Sequence, residues 1–265
     1  MDHASNPDRT MPGGPLGAFA QTRWHATDAL VDMAVQAPAP RIAILDSEPQ
    51  KVRFDIEKTA LVIIDMQNDF CHRDGWLGSI GVDVSPGRNL IAPIRSMLAE
   101  ARAAGMPVIW VNWGNRPDLL NLGPSTLHVY NMTGTGTGLG DPLANGAPVL
   151  EYGSWASAIL DEFGDTSGDI HVPKFSMSGF WETHLDSILR NLGVTTLAFA
   201  GVNLDQCVLC TLQDASFRGY DCVLLEDCAA TTSPGFCTEA TLYNIRQCFG
   251  FVAASRHLIE GIRDA

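Results

Sequence analysis

The sequence has no uninterrupted apolar run near the ~20 residues that span a bilayer. Its first residues, MDHASNPDRTMPGGPLGAF, also lack a basic start followed by an apolar stretch. We therefore expect neither a membrane span nor a secretory signal, and we expect a cytoplasmic protein. Basic residues are scarce, since 17 Lys and Arg face 30 Asp and Glu and give a formal net charge of −13. So acidic a surface argues against nucleic acid and membranes as partners and leaves a small molecule open.

The sequence also lacks the regular spacing of cysteines that would indicate disulfide pairs. The seven cysteines are odd in number and irregularly spaced, which indicates reduced thiols rather than a disulfide framework. Only 18% of the 265 residues are charged whereas 46% are hydrophobic. Such a chain can bury a sizeable core, and its length suits one large domain.

Apolar runs typical of buried strands alternate with segments of helical spacing from residue 59 onward. The predicted strands are Thr59–Asp65, Pro107–Trp113, Asp169–Lys174, Thr196–Gly201, Asp221–Glu226 and Cys248–Ala253. The predicted helices cover 87–104, Glu182–Leu192, Asp205–Arg218 and Pro234–Gln247. This alternation predicts an α/β fold, a three-layer α/β/α sandwich with a six-stranded, mainly parallel, doubly wound sheet.

Residues 1–54 have weak periodicity and a start rich in proline and glycine. We interpret them as an N-terminal arm that lies on the domain or on a neighbouring subunit, with a short helix over Thr27–Val35. A disordered tail is the open alternative. The domain itself is predicted to cover residues 55–265.

Three reactive side chains fall at the carboxyl ends of predicted strands, where open parallel sheets bind their ligands. Asp65 ends the first strand, Lys174 ends the third, and Cys207 lies in the first turn of the helix after the fourth. A thiol at a helix N-terminus and near a lysine is expected to favour the thiolate. Asp65 can accept a proton and return it to a leaving nitrogen, and the first N–H groups of the helix can bind an oxyanion.

Each residue also has an ordinary structural explanation, because a single cysteine is more often a core residue than a nucleophile. Cys207 and Cys210 form a C-x-x-C pair, which keeps a thiol redox protein open as an alternative. A scaffold protein without activity on this fold is a further alternative. Zinc is disfavoured, because four ligands are needed and no second pair is present.

The segments IIDMQNDF (63–70), VPKFSMSGF (172–180) and GVNLDQCV (201–208) resemble the three motifs of the isochorismatase-like cysteine hydrolases. The resemblance covers about residues 55–260 and implies an Asp65–Lys174–Cys207 triad without a cofactor. It also implies a cis peptide between Val202 and Asn203, which turns the N–H of Asn203 toward an oxyanion beside the N–H of Cys207. Members of this family usually form oligomers, so a homo-oligomer, a dimer or a tetramer, is expected.

Within the family, the sequence is most similar to the ureidoacrylate amidohydrolases. The shared stretches are ARAAGMPVIW (101–110), GSW (153–155), SGFWETHLDSILRNLG (178–193), LLEDC (224–228), LYNI (242–245) and CFGF (248–251), and RPDL (116–119) resembles biuret hydrolases. The nucleophile turn of the family more commonly carries a threonine in the stretch occupied here by Asn203, Leu204 and Asp205, and Asp205 adds an acid close to the thiol. The Asp-x-His of the metal-binding nicotinamidases is replaced by VNWGN (111–115), so no catalytic metal is expected.

The expected substrate is a small linear amide or ureide, cleaved at a C–N bond through a thioester. Other amidases of the family, with carbamoyl or nicotinamide-like substrates, remain alternatives. A carboxylate on the substrate would need a cation besides Lys174, for which Arg116 and His128 are the candidates. The candidate substrate-binding residues are Gln67, Phe70, Asn112, Trp113, Arg116, Trp155, Phe180 and Trp181.

Overall fold

The computed structural model describes residues 14–35 and 37–265. Among them the strands are β1 (Pro15–Leu16), β2 (Trp24–Ala26), β3 (Val31–Asp32), β4 (Ile42–Leu45), β5 (Val52–Asp55), β6 (Thr59–Ile64), β7 (Val108–Trp113), β8 (Ile170–Lys174), β9 (Thr196–Gly201), β10 (Asp221–Ala229) and β11 (Phe251–Ala253). The α-helices of these residues are α1 (Asn68–Cys71), α2 (Trp76–Ser79), α3 (Ser85–Asn89), α4 (Ile91–Ala103), α5 (Pro124–Tyr130), α6 (Leu185–Leu192), α7 (Leu209–Phe217), α8 (Gly235–Asn244) and α9 (Ser255–Arg263). Short 3₁₀ and π turns cover Ile56–Lys58, Asp161–Phe163, Leu204–Val208 and Ile245–Phe249.

A six-stranded parallel sheet, in the order β11-β10-β9-β6-β7-β8, forms the centre of the protein. Every neighbouring pair is parallel, so the sheet is wholly rather than mainly parallel. The central strands β6 and β9 are buried along their whole length, as continuous apolar runs require when helices cover both faces. The predicted α/β fold with its doubly wound sheet is confirmed.

The helices pack on opposite faces of this sheet. On one face, apolar side chains of α6 and α7 and part of α8 meet the sheet, and on the other those of α4 and α9 do. Chain order runs outward in both directions from the adjacent strands β6 and β9, so the switch in strand order lies between them. No helix of the described residues has the length and apolarity to cross a membrane.

The predicted element bounds hold best in the sheet and least at the helix ends. The helix predicted over 87–104 breaks at Leu90 into α3 and α4, and the helix predicted from Asp205 begins as the π turn Leu204–Val208. The predicted strand Cys248–Ala253 is shorter, because the π turn Ile245–Phe249 extends into its start. Helix α9 was not predicted.

Of the predicted N-terminal arm, residues 1–13 lie outside the described residues. The helix predicted over Thr27–Val35 is wrong, since β1, β2 and β3 form an antiparallel sheet there. The hydroxyl of Thr27 accepts hydrogen bonds from the N–H groups of Ala29 and Leu30, which favours a turn over a helix. Farther on, the hairpin β4–β5 buries Ala43 and Leu45 in the core beside α9. The division at residue 54 stays a prediction.

Candidate active site

Asp65, Lys174 and Cys207 meet at the carboxyl edge of the sheet. The Lys174 Nζ lies 2.8 Å from Oδ2 of Asp65 and 3.3 Å from Sγ of Cys207. The Asp65 carboxyl also lies close enough to the Cys207 thiol for each to affect the pKa of the other. The three strand ends therefore bring the predicted acid, base and thiol into mutual contact.

Asp65 is held in place by the strand next to its own. It is the residue after β6 and adopts a left-handed backbone with φ 52°, a conformation that aspartate tolerates better than most residues. Its N–H donates to the Val111 carbonyl at 3.1 Å, and its Oδ1 accepts the N–H of Trp113 at 2.9 Å. The carboxylate is thus fixed by β7 while its other oxygen faces Lys174.

Lys174 ends the edge strand β8 and is completely buried, with 0% of its surface exposed. Besides Asp65 and Cys207, its ammonium donates to the Ser176 carbonyl at 3.0 Å and lies 4.5 Å from the ring centroid of Trp113. A buried ammonium is tolerated only when it is paired and hydrogen-bonded. These contacts compensate its charge and fix its position.

Burial dominates the electrostatics of the thiol. It raises the pKa of Cys207 far above its usual range, and Lys174 offsets this only in part. This shift runs against the expectation that the helix end and Lys174 would produce a resting thiolate, because desolvation opposes them. Only 5% of Cys207 is exposed, and its burial favours the protonated thiol.

The surroundings of Asp65 and of Lys174 suit these two side chains to different roles. Burial raises the pKa of Asp65 above its ordinary value, although Lys174 and the hydrogen bonds oppose the shift. Burial lowers the pKa of Lys174, but the negative charges of Asp65 and Cys207 outweigh it, so this pKa lies above its usual range. Lys174 stays a cation, and Asp65 is the group poised to exchange a proton.

The turn that carries Cys207 is a π turn rather than the first turn of an α-helix. The N–H of Val208 donates to the Asn203 carbonyl at 3.2 Å, and the N–H of Leu204 donates to Ala230 after β10. The peptide between Val202 and Asn203 is cis, at the position that the resemblance implies. Within the described part of the chain, the N–H of Asn203 has no backbone acceptor.

Of the candidate substrate-binding residues, Trp113 reaches the triad, with its buried ring beside the Lys174 ammonium. Gln67 is adjacent but fully engaged, because its amide bonds to the N–H and carbonyl of Trp113 at 2.8 Å each and to the Ser157 carbonyl. Gln67 therefore positions Trp113 rather than facing a ligand. Phe70 is half-buried and packs against the cores on both faces of the sheet.

Asn112 and Arg116 are not brought to the thiol. Asn112 alternates with Trp113 along β7, so it lies on the opposite face of the sheet, where it lines a separate cavity of about 430 Å³. Arg116 is exposed and pairs in a bidentate manner with Asp118, at 2.8 and 2.6 Å. His128 is exposed as well, on helix α5.

The remaining aromatic candidates occupy three different environments. Trp155 contacts His72 edge to face at 5.3 Å, in the loop after residue 150. Phe180 is buried against Tyr220 and is therefore a core side chain. Trp181 is 58% exposed and borders a surface groove together with Met177 and Cys210.

Two further residues near the thiol were not predicted from the sequence, namely Met177, which contacts it, and Tyr130, which contacts Met177. Met177 Sδ lies 3.7 Å from Cys207 Sγ, and the hydroxyl of Tyr130 donates to Met177 Sδ at 3.6 Å. The ring of Tyr130 packs edge to face on Trp113 at 5.8 Å. Met177 lies three residues after Lys174 in the motif, which was its only sequence signal, and Tyr130 had none beyond being an aromatic in a long connection.

Asp205 and Cys210 lie on the outer side of the nucleophile turn. Oδ1 of Asp205 is buried without a hydrogen-bond partner in the described residues, and the charge of Asp205 contributes to a raised pKa of the Cys237 thiol on α8, after the larger effect of burial. Cys210 is half-buried, and burial raises the pKa of its thiol. Within the described residues, no group of three or more His, Cys, Asp or Glu side chains is arranged to hold a metal ion, and the absence of a catalytic metal stays a prediction.

Comparison with known proteins identifies relatives of the whole sheet domain. A family model described as the isochorismatase domain matches residues 59–257. A cysteine hydrolase from Pseudomonas syringae has the same fold, with TM-score 0.68 and 24% identity over 86% of this chain and 99% of its own. An isochorismatase family protein from Desulfovibrio vulgaris gives a TM-score of 0.63 and 27% identity, and the match covers 77% of this chain and 97% of its own. N-carbamoylsarcosine amidase from Thermoplasma acidophilum gives a TM-score of 0.58 and 28% identity, and the match covers 75% of this chain and 96% of its own.

Proposed function

Since this chain belongs to the isochorismatase domain family, we propose that it is a cysteine-dependent amidohydrolase that cleaves a C–N bond of a small linear amide or ureide. The observation that carries the proposal is the contact of one buried ammonium with both a thiol and a carboxylate. The Lys174 Nζ lies 3.3 Å from Cys207 and 2.8 Å from Asp65. Nucleophile, proton acceptor and cation are thus present within one hydrogen-bonded group.

In the first step, Asp65 takes the proton of the neutral Cys207 thiol as the sulfur attacks the substrate carbonyl. The raised pKa of Asp65 suits it to hold that proton, and the Lys174 ammonium stabilises the developing negative charge. We assign the N–H groups of Asn203 and Cys207 to the oxyanion. Their bonds to it would form as the tetrahedral intermediate forms.

In the second half of the cycle, Asp65 returns the proton to the leaving nitrogen, and the C–N bond breaks to give a thioester on Cys207. Water then attacks the thioester with Asp65 as its base, and the acid product leaves as the thiol recovers its proton. Because Lys174 is held by Ser176 and Trp113 as well, it keeps its position through both steps.

The substrate class rests on the sequence resemblance to ureidoacrylate and biuret hydrolases. The likeness at 28% identity to a protein named N-carbamoylsarcosine amidase supports a carbamoyl substrate as the second candidate within the same chemistry. Both are small molecules with a carbonyl flanked by nitrogen. The aromatic rings of Trp113 and Tyr130 beside the thiol suit a flat group of this kind.

The test is to trap the acyl-enzyme. Purified protein is mixed with biuret, ureidoacrylate, N-carbamoylsarcosine or nicotinamide, quenched in acid within seconds, and measured by intact-protein mass spectrometry beside an ammonia-release assay. We expect a mass increase equal to the acyl fragment on the peptide that contains Cys207. Ammonia release without any acyl adduct, also at several quench times under substrate excess, would contradict the thioester.

A redox role for Cys207 and Cys210 is disfavoured by the same geometry. Burial raises the pKa of both thiols, whereas a redox pair needs a reactive thiolate. Peroxide-dependent loss of both free thiols with formation of a Cys207–Cys210 disulfide, in a protein that hydrolyses no amide, would support the redox function instead.

We further propose that the enzyme is a cytoplasmic homo-oligomer, a dimer or a tetramer, without nucleic-acid or membrane partners. Several apolar side chains of β1–β3 and its turns are exposed on the single chain, among them Leu16, Trp24 and Leu30. Such surfaces are often covered in assemblies. Light scattering at micromolar concentration should give a multiple of 28.6 kDa, and a monomer mass would refute the proposal.

A further inference from the structure

A surface groove lies one side chain away from the catalytic thiol. It is an open depression of about 510 Å³ between the segment that follows β8 and helix α7. Met177 lines it, and the Sδ of the same residue lies 3.7 Å from Cys207 Sγ. Ser176, whose carbonyl binds the Lys174 ammonium, lines it too.

Met177 is the partition between the groove and the thiol. A methionine side chain is unbranched and flexible, so it can rotate aside at low cost where a branched or aromatic side chain could not. Tyr130 contacts its sulfur from the other side. A rotation of Met177 would therefore open Cys207 to the groove without disturbing the ion pair behind it.

The ionised groups that line the groove are acidic. Glu182 and Asp214 both border it, and neither forms an ion pair with any residue in 14–35 or 37–265. Arg218, whose guanidinium lies 6.0 Å from the centroid of the Trp181 ring, pairs with Asp186 at 3.6 Å. A ligand in the groove would therefore meet uncompensated negative charge.

The charge of Lys174 does not reverse this field. Its ammonium is matched by the Asp65 carboxylate at 2.8 Å, and the thiol beside them is neutral at rest. The groove also has exposed aromatic walls, since Trp181 and Phe217 both border it and are largely accessible. A flat, uncharged group can lie on such walls, whereas a carboxylate there would face like charges.

We propose that this groove is the entry and binding subsite of the enzyme, and that its carboxylates Glu182 and Asp214 select uncharged or cationic amides over carboxylated ones. This inference rests on the proposed function and narrows it, because it favours a neutral ureide over a substrate that carries an acid group. Met177 acts as the gate, and Trp181 and Phe217 flank the part of the substrate that does not react.

The test uses two alkylating reagents of almost the same size, neutral iodoacetamide and anionic iodoacetate. Their rates of reaction with Cys207 are followed by peptide mass spectrometry, with fragment ions to separate Cys207 from Cys210. Cys248 serves as the reference inside the same molecule, because it is exposed on the turn before β11 and does not line the groove. The preference for iodoacetamide at Cys207 should exceed that at Cys248 by about tenfold, and added salt should reduce it.

In the double variant Glu182→Gln/Asp214→Asn, the preference for iodoacetamide at Cys207 should come within about twofold of the preference at Cys248. The control Glu260→Gln, an exposed substitution on α9, should leave the tenfold difference between the two cysteines unchanged. The variant Met177→Ala should accelerate both reagents equally at Cys207. Equal preferences at Cys207 and Cys248 in the wild type, or a tenfold difference that survives the double variant, would overturn the proposal. Failure of both reagents to modify Cys207 even in Met177→Ala would overturn it as well.

Alkylation separates this inference from the proposed function. If the protein hydrolyses no amide but Cys207 shows the charge preference, the proposed function is refuted and the proposal for the groove stands. If the protein hydrolyses amides but iodoacetate reacts with Cys207 as readily as iodoacetamide does, the proposed function stands and the proposal for the groove is refuted. In an active enzyme, kcat/KM for N-carbamoylglycinamide relative to N-carbamoylglycine should fall in the double variant.

Discussion

The two faces of the sheet differ at the ends of β7 and β8. On one face, the Trp113 ring adjoins the Lys174 ammonium, which contacts the thiol and pairs with the buried Asp65 carboxylate. On the other, Asn112 lines an open cavity of about 430 Å³, and both polar atoms of its amide lack partners in the described residues. An opening beside the strand ends therefore does not by itself mark the reactive face. What marks the reactive face is the convergence of groups whose burial is matched by their mutual contacts.

Removal of the nucleophile gives the largest expected effect on this comparison. Cys207→Ser should lower kcat by about 10⁴-fold, because a hydroxyl beside Asp65 and Lys174 is a far weaker nucleophile than sulfur. Cys210→Ser, one helical turn away, is the matched control and should keep kcat within about threefold of the wild-type value. Ammonia release under saturating substrate measures both, and equal losses would place the chemistry on the pair rather than on Cys207.

Breaking the buried ion pair should affect stability as well as activity. Lys174→Met leaves Asp65 buried without its cation, so the free energy of unfolding in urea should fall by about 3–5 kcal/mol. Arg116→Ala breaks an exposed pair with Asp118 and should change it by less than about 1 kcal/mol. The double variant Asp65→Asn/Lys174→Met should recover part of the loss. A loss as small as that of Arg116→Ala would show that the pair is not the buried centre of this face.

The pH dependence should follow Asp65 rather than the thiol. Activity requires ionised Asp65, and burial raises the pKa of this carboxyl above its ordinary value of 3.8. kcat/KM should therefore fall about tenfold per pH unit as the pH drops below that raised pKa, which places the acid limb above the usual range of an aspartate. Since burial also keeps Cys207 protonated, no second limb from thiolate formation should appear near pH 8–9. A second limb near pH 8–9 that appears both in kcat/KM and in the alkylation rate of Cys207 would contradict a neutral resting thiol.

The smallest effect is expected on the opposite face. Asn112→Leu keeps the side-chain volume and removes two buried polar atoms that have no partners in the described residues. The free energy of unfolding should rise by about 1 kcal/mol, and kcat/KM should stay within about twofold. A large loss of activity with unchanged stability would return Asn112 to the substrate site.

The sequence by itself determined the fold class and the triad. Short continuous apolar runs bounded by turn residues favour strands buried on both faces, so β6 and β9 and their order with the helices were predictable. Because carboxyl ends of parallel strands share one edge, Asp65, Lys174 and Cys207 were predicted to meet. Local signals were weaker at helix ends and in residues 14–35, where the hydroxyl of Thr27 binds neighbouring N–H groups and the predicted helix is replaced by strands.

Only the tertiary structure decided the state and the surroundings of the thiol. Strand alternation places Asn112 and Trp113 on opposite faces, but which face carries the site depends on how helices pack. Met177 and Tyr130 come together from segments 47 residues apart, and no local pattern records that contact. The pKa of Cys207 likewise depends on how completely the fold removes water, and desolvation is a property of all the surrounding atoms rather than of the neighbours in sequence.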